Sequence, residues 1–108
     1  MKYDKLVRDN IPEIIKAAGK KCIYKIVEGE EYNSYLKRKL LEEVNEFLNA
    51  STIEEHHEEM VDIIGILVNL CRVYNLDPRK LFALDIKKRL EKGDFLKGFV
   101  LLEVTNEC

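Results

Sequence analysis

With 108 residues, 46% of them hydrophobic and 35% charged, the chain has the balance of one soluble domain able to bury a core. A formal net charge of −2 gives no basic field for a nucleic-acid polymer. No apolar run reaches the ~18 residues of a membrane span, and the opening MKYDKLVRDN lacks a signal-peptide core, so a cytoplasmic protein is expected.

Residues 10–19, NIPEIIKAAG, predict a short helix with Asn10 as cap, Pro12 in its first turn and Gly19 as its stop. Residues 21–28, KCIYKIVE, are rich in Ile, Val and Tyr and predict a short strand before a turn at Gly29. Across residues 30–49, Leu36, Leu40, Val44, Phe47 and Leu48 recur at three- and four-residue spacing, which predicts a helix with one apolar stripe. Ser51-Thr52-Ile53-Glu54 has the form of a capping box, so a third helix is expected to start there and run to about Asn75. The short connection favours an antiparallel pair. Asp77-Pro78 opens a last helix that Gly93 closes. The segment GFVLLEV, residues 98–104, predicts a second strand that could pair with residues 21–28. The expected fold is mainly α: an antiparallel bundle of about four helices with a minor two-stranded β element, forming a single domain over residues 1–108.

Few reactive side chains are on offer. Cys22, Cys71 and Cys108 are widely spaced and odd in number, which argues against a disulfide framework or a thiolate zinc site; Cys71 reads as a small core residue. His56 and His57 are the only imidazoles, which weakens Ser–His and Cys–His nucleophiles and His-rich metal sites together. Glu54-x-x-His57 has the spacing of a di-iron motif, but that architecture needs a second copy, and both histidines fall in a first helical turn.

Carboxylates are more informative. Glu42-Glu43-Val44-Asn45-Glu46 lies on the second predicted helix and Glu59-Met60-Val61-Asp62 on the third. Residues three apart share a helix face, so Glu43 and Glu46 project together, as do Glu59 and Asp62. Most such pairs are solvated, and acids near a helix start are favoured by its dipole. Asp62 lies too deep in the helix for that explanation, among Ile63, Ile64, Ile66, Leu67 and Val68, and is expected to form the buried end of the acidic set. If the helices are antiparallel neighbours, the two pairs can meet. Facing carboxylates repel and shift their pKa values upward unless a cation sits among them. Mg²⁺ suits such a set, because it takes oxygen ligands and keeps waters that a phosphate substrate can replace; Mn²⁺ is a possible substitute.

At these residues the chain resembles the all-α nucleoside triphosphate pyrophosphohydrolases, the MazG-like superfamily, whose shared signature is E-E-x-x-E on one helix and E-x-x-D on the next. The opening KLVRDNIPEII, residues 5–15, and the ending RLEKGDFLKGFVLLEV, residues 89–104, look like those of its small phosphoribosyl-ATP pyrophosphohydrolase-like subfamily. The resemblance implies Mg²⁺-dependent cleavage between α- and β-phosphates, giving a nucleoside monophosphate and pyrophosphate. It implies Glu43, Glu46, Glu59 and Asp62 as metal ligands. Glu42 could hold a second ion or orient the attacking water, and Glu42 and Glu43 stand as the catalytic pair. It also implies a homodimer or homotetramer, with which the near all-round apolarity of residues 60–74 agrees.

A polyphosphate needs cations. Lys5 and Arg8 near the start, and Lys87, Lys88 and Arg89 on the last helix, are candidates, although the last three would also complement a helix C-terminal dipole. Arg8 lies in the family-like opening and suits bidentate phosphate contact. Asn69, two turns beyond Asp62, could reach a base or sugar, or bond a neighbouring helix. Two other classes stay open: a non-catalytic nucleotide- or metal-binding helical module, and a structural domain whose acids form surface ion pairs. The substrate also stays open, between a damaged nucleotide, an ordinary deoxynucleotide and the phosphoribosyl-ATP of histidine biosynthesis.

Overall fold

A computed structural model describes residues 3–106, so Cys108 lies outside the described residues, while Cys22 and Cys71 are free thiols. Four helices follow in order: α1 (Ile11–Ala17), α2 (Gly29–Leu48), α3 (Ile53–Val73) and α4 (Pro78–Lys92). The chain divides into two compact units, one ending at Leu76 and the other beginning at Asp77. No linker composition marks this boundary, where Leu76 passes directly to the cap of α4. No helix among the described residues is long and apolar enough to cross a membrane.

The helix ends follow local chemistry. The Asp77 carboxylate accepts from the Arg79 N–H, Pro78 takes the first position of α4, and Gly93 stops it at φ 86°, a left-handed value that favours glycine. At the start of α3 the box is displaced by one residue from the expected Ser51–Glu54 pair. Thr52 is the cap, its hydroxyl accepting from the Glu55 N–H at 3.1 Å, while the Glu55 carboxylate accepts from the Ser51 N–H at 2.9 Å. Thr52→Ala is expected to cost about 1 kcal/mol in a denaturant titration, with no change in the slope. Asn10 occupies the cap of α1 without a side-chain cap bond.

Packing in the first unit is between α2 and α3. Phe47 meets His56 edge-on at 5.2 Å beside the connecting turn, and Lys37 lies over the Tyr74 ring at the far end, so the two helices run antiparallel. Leu36, Ile66 and Cys71 are buried between them, with Leu40, Val44, Phe47, Ile63, Val68, Leu70 and Val73 partly covered. The apolar stripe of α2 thus does what its spacing predicts, except that Leu48 at the helix end is exposed. His56 also has a local role: its Nδ1 lies 2.6 Å from the Thr52 carbonyl, and His57 faces solvent.

One expectation changes. The two-stranded β element is absent among the described residues, where neither 21–28 nor 98–104 carries a strand. Ile23, Ile26, Phe99, Leu101 and Leu102 are exposed, and an isolated ribbon with no face to bury is marginal in water. Within one chain α3 keeps an exposed apolar face, with Met60, Val61 and Ile64 each half or more exposed.

Candidate metal centre

The acidic residues converge where α2 packs on α3. Oxygens of Glu43, Glu59 and Asp62 lie within 4.8 Å of one another, and so do oxygens of Glu42, Glu43 and Glu46. Glu43 belongs to both sets. Oxygens on opposite sides of an Mg²⁺ ion are about 4.2 Å apart, so closing either set asks for only small side-chain movements.

Glu43 is the buried carboxylate, only 4% exposed, whereas the Asp62 side chain is 32% exposed. That corrects the expectation that Asp62 forms the buried end. Asp62 is only partly covered, while Glu43 lies between Leu40 and Phe47 on the apolar stripe of α2. Its Oε1 is paired with Lys39 at 3.2 Å, but its Oε2 is buried without a partner. The Oε2 of Glu59, across the interface, is likewise buried and unpartnered.

Two carboxylates can hydrogen-bond each other only if one carries a proton. The protonation pattern follows. Hydrogen bonding to Glu43, then burial and the charges of Glu43 and Glu46, push Glu59 up to about 8. Burial and the neighbouring Glu43 raise Glu46 as well. Burial alone would raise Glu43, yet hydrogen bonding with Glu59 and Lys39 and the Lys39 charge hold it below its ordinary value. The set thus keeps one carboxylate ionised by leaving another protonated near neutrality. A divalent cation would replace that proton and satisfy both buried oxygens, so the residues fit such an ion.

Cations border the acids. Residues 4–8 cross from α2 to α3 as a strap. Asp4 accepts from the Tyr35 hydroxyl at 2.6 Å, and Arg38 donates to the Asp4 carbonyl at 3.0 Å. These contacts, the Tyr35 bond foremost, hold the Asp4 carboxyl below its ordinary value. Lys5 pairs with Glu42 at 3.6 Å, and the Arg8 Nη2 with the Asp62 Oδ1 at 2.9 Å. Beneath the strap, Asp4, Lys5, Leu6, Tyr35, Arg38, Lys39 and Glu42 line a cleft of about 110 Å³.

Lys5 and Arg8 are therefore at the acidic site, but bonded to its carboxylates. Asn69 is bonded within its own helix: its amide donates to the Gly65 carbonyl at 2.8 Å and accepts from Arg72 at 3.1 Å. Lys88 and Arg89 belong to α4 in the second unit, where Arg89 pairs with Asp85 at 3.2 Å. Sequence reasoning missed Arg38 and Lys39. The signal was present in the run Lys37-Arg38-Lys39, since Lys39 stands three and four residues before Glu42 and Glu43.

No family model matches the chain, and no solved structure matches it. An uncharacterized protein of Mycolicibacterium smegmatis is 45% identical over 47 residues, a stretch covering 44% of this chain and 48% of that protein. The match thus spans about half of each.

Proposed function

We propose that the chain is a divalent-cation-dependent nucleoside triphosphate pyrophosphohydrolase of the MazG-like kind, cleaving between the α- and β-phosphates to release a nucleoside monophosphate and pyrophosphate. The observation that carries this reading is the convergence of Glu43 and Glu59, whose oxygens lie within 4.8 Å across α2 and α3 and each of which buries an Oε2 that finds no donor unless one of the two carboxyls is protonated. Leaving such groups unsatisfied is costly, and a hard cation compensates for the cost. Glu43, Glu59 and Asp62 would hold the ion, with Glu46 and Glu42 extending the set. Mg²⁺, or Mn²⁺ in its place, would supply positive charge against the phosphates and acidify a bound water.

The chain's own residues do the rest. Glu42 borders both the acidic set and the basic cleft, a position from which it can orient a water or take its proton. Lys5, Arg38 and Lys39 offer cations to the departing pyrophosphate. Lys88 and Arg89 remain candidates for the same role only through α4. A cytoplasmic role in removing non-canonical nucleotides, and a phosphoribosyl-ATP substrate, are both compatible with this chemistry.

Exposed Leu41, Met60, Val61 and Ile64 on the two site-bearing helices support a homodimer or homotetramer. The second reading, a nucleotide- or metal-binding module without turnover, is favoured by the ion pairs that Lys5 and Arg8 already make with Glu42 and Asp62. Pyrophosphate release from a panel of canonical, modified and deoxynucleoside triphosphates and phosphoribosyl-ATP, with Mg²⁺ or Mn²⁺, distinguishes them. The proposed enzyme turns over at least one of these. Metal-dependent nucleotide binding with no pyrophosphate from any of them leaves the module.

A further inference from the structure

Glycine in the middle of a helix costs about 1 kcal/mol relative to alanine, so Gly65 inside α3 calls for a compensating contact. The strap supplies it. A Cβ built on Gly65 would stand 3.1 Å from the Arg8 Nη2, tighter than ordinary van der Waals contact. The bare backbone lets the guanidinium lie against α3 one turn beyond Asp62, where it donates to the Asp62 Oδ1 at 2.9 Å. The other end of the strap is fastened to α2 through Asp4 with Tyr35 and Arg38, and its middle through Lys5 and Glu42. Both pairing carboxylates belong to the acidic sets that can hold an ion.

We propose that the strap is a cation latch: Arg8, seated on Gly65, competes with the divalent cation for Asp62 and passes to phosphate oxygens once the cation takes that carboxylate. Lys5 makes the same exchange at Glu42. This rests on the metal reading above and adds to it a reciprocity. The residues that bind phosphate are the ones that oppose metal alone, so metal and polyphosphate favour each other's binding by the same factor. Arg8 acts on the ion only by holding Asp62 and is in that respect a positioning residue. The Arg8 side chain is 63% exposed, which limits the competition to the modest strength of a surface ion pair.

The test is a titration of Mn²⁺ into wild-type, Arg8→Gln and Gly65→Leu proteins, reading free Mn²⁺ by electron paramagnetic resonance. Leucine at position 65 leans toward the preceding turn and takes the guanidinium's seat while leaving Arg8 in the chain. Both variants are expected to bind Mn²⁺ about two- to fivefold more tightly than wild type. In an Asp62→Asn background, Arg8→Gln is expected to have no further effect, which separates this pair from the general loss of a positive charge. With pyrophosphate added as probe, Arg8→Gln is expected to lose affinity about tenfold, opposite in sign to its effect on the metal.

Equal or weaker Mn²⁺ binding by Arg8→Gln overturns the latch while leaving the metal site standing. Tighter Mn²⁺ with unchanged pyrophosphate binding overturns the exchange. Absence of Mn²⁺ binding in wild type and both variants overturns the metal site and the latch together.

Discussion

Glu43→Gln is expected to weaken Mg²⁺ binding by at least about tenfold and to lower kcat/KM for pyrophosphate release by about a hundredfold or more. Glu43 alone belongs to both acidic sets, and it is the buried member, so no water can stand in for its charge. Glutamine keeps the volume and can accept from Lys39, so the α2–α3 pair should still fold. Its amide can also donate to the orphaned Glu59 oxygen, which the carboxylate can do only when protonated. Thermal stability without added metal should therefore rise at pH 8 while activity disappears. That combination is what separates a carboxylate kept for a cation from one kept for the fold. Calorimetric Mg²⁺ titration and a melting curve on the same sample report both. A Glu43→Gln protein that melts lower and keeps its turnover would show that the Lys39–Glu43 pair is structural and that the reaction centre lies elsewhere.

How far this site could be read from the sequence depended on whether the determining contact was local. Asp77-Pro78 and Gly93 bounded α4 because a cap, a fixed proline φ and a left-handed residue act within one turn. The acidic convergence was legible because two helix-period spacings and a short connection leave few ways to pack α2 on α3. The box at Ser51–Glu54 slipped by one residue because Thr52 and Glu55 offer the same pattern in the next register, and nothing local distinguishes them.

What escaped was set at long range. Arg8 and Asp62 are 54 residues apart, so no periodicity links them, and Gly65 reads as a mere weakness in the helix until the guanidinium is seen against it. The depth of Glu43 and Asp62 came out reversed for a related reason. Asp62 has apolar neighbours in sequence, but its burial is set by whether its face meets α2, and that rotation is not encoded in α3 alone. Likewise 21–28 and 98–104 are rich in strand-forming residues, yet a strand requires a partner as well as a composition.

Metal-depleted protein is expected to lose thermal stability as the pH rises from about 5 to about 8, the reverse of what paired carboxylates usually produce. Glu59 has its pKa raised from an ordinary 4.5 to about 8 in the fold, so between those values the folded chain holds a proton that the unfolded chain has released. Stability then falls with pH across that window and levels off above it. Glu46, also raised, adds in the same sense. Glu43 opposes them: its lowered pKa contributes stability above the ordinary carboxylate value that is lost on acidification. The larger shift of Glu59 decides the sign, and partial exposure of the set to solvent moderates the size. Each kcal/mol moves the melting temperature of a domain this size by about 4–8 °C, so a fall of several degrees is readable by calorimetry. Mg²⁺ should remove most of the slope, because an ion bound by Glu43 and Glu59 supplies the positive charge that the proton otherwise provides. Saturation at a hundred times the dissociation constant adds about 2.7 kcal/mol, and a fixed Mg²⁺ concentration should stabilise most at high pH, where no proton competes. The same slope should flatten without metal in Glu43→Gln, since the hydrogen bond and charge that hold the Glu59 proton are then gone. A melting temperature that climbs from pH 5 to 8 in metal-depleted wild type would mean that Glu43 and Glu59 do not face each other, and the shared-cation account would fail with them.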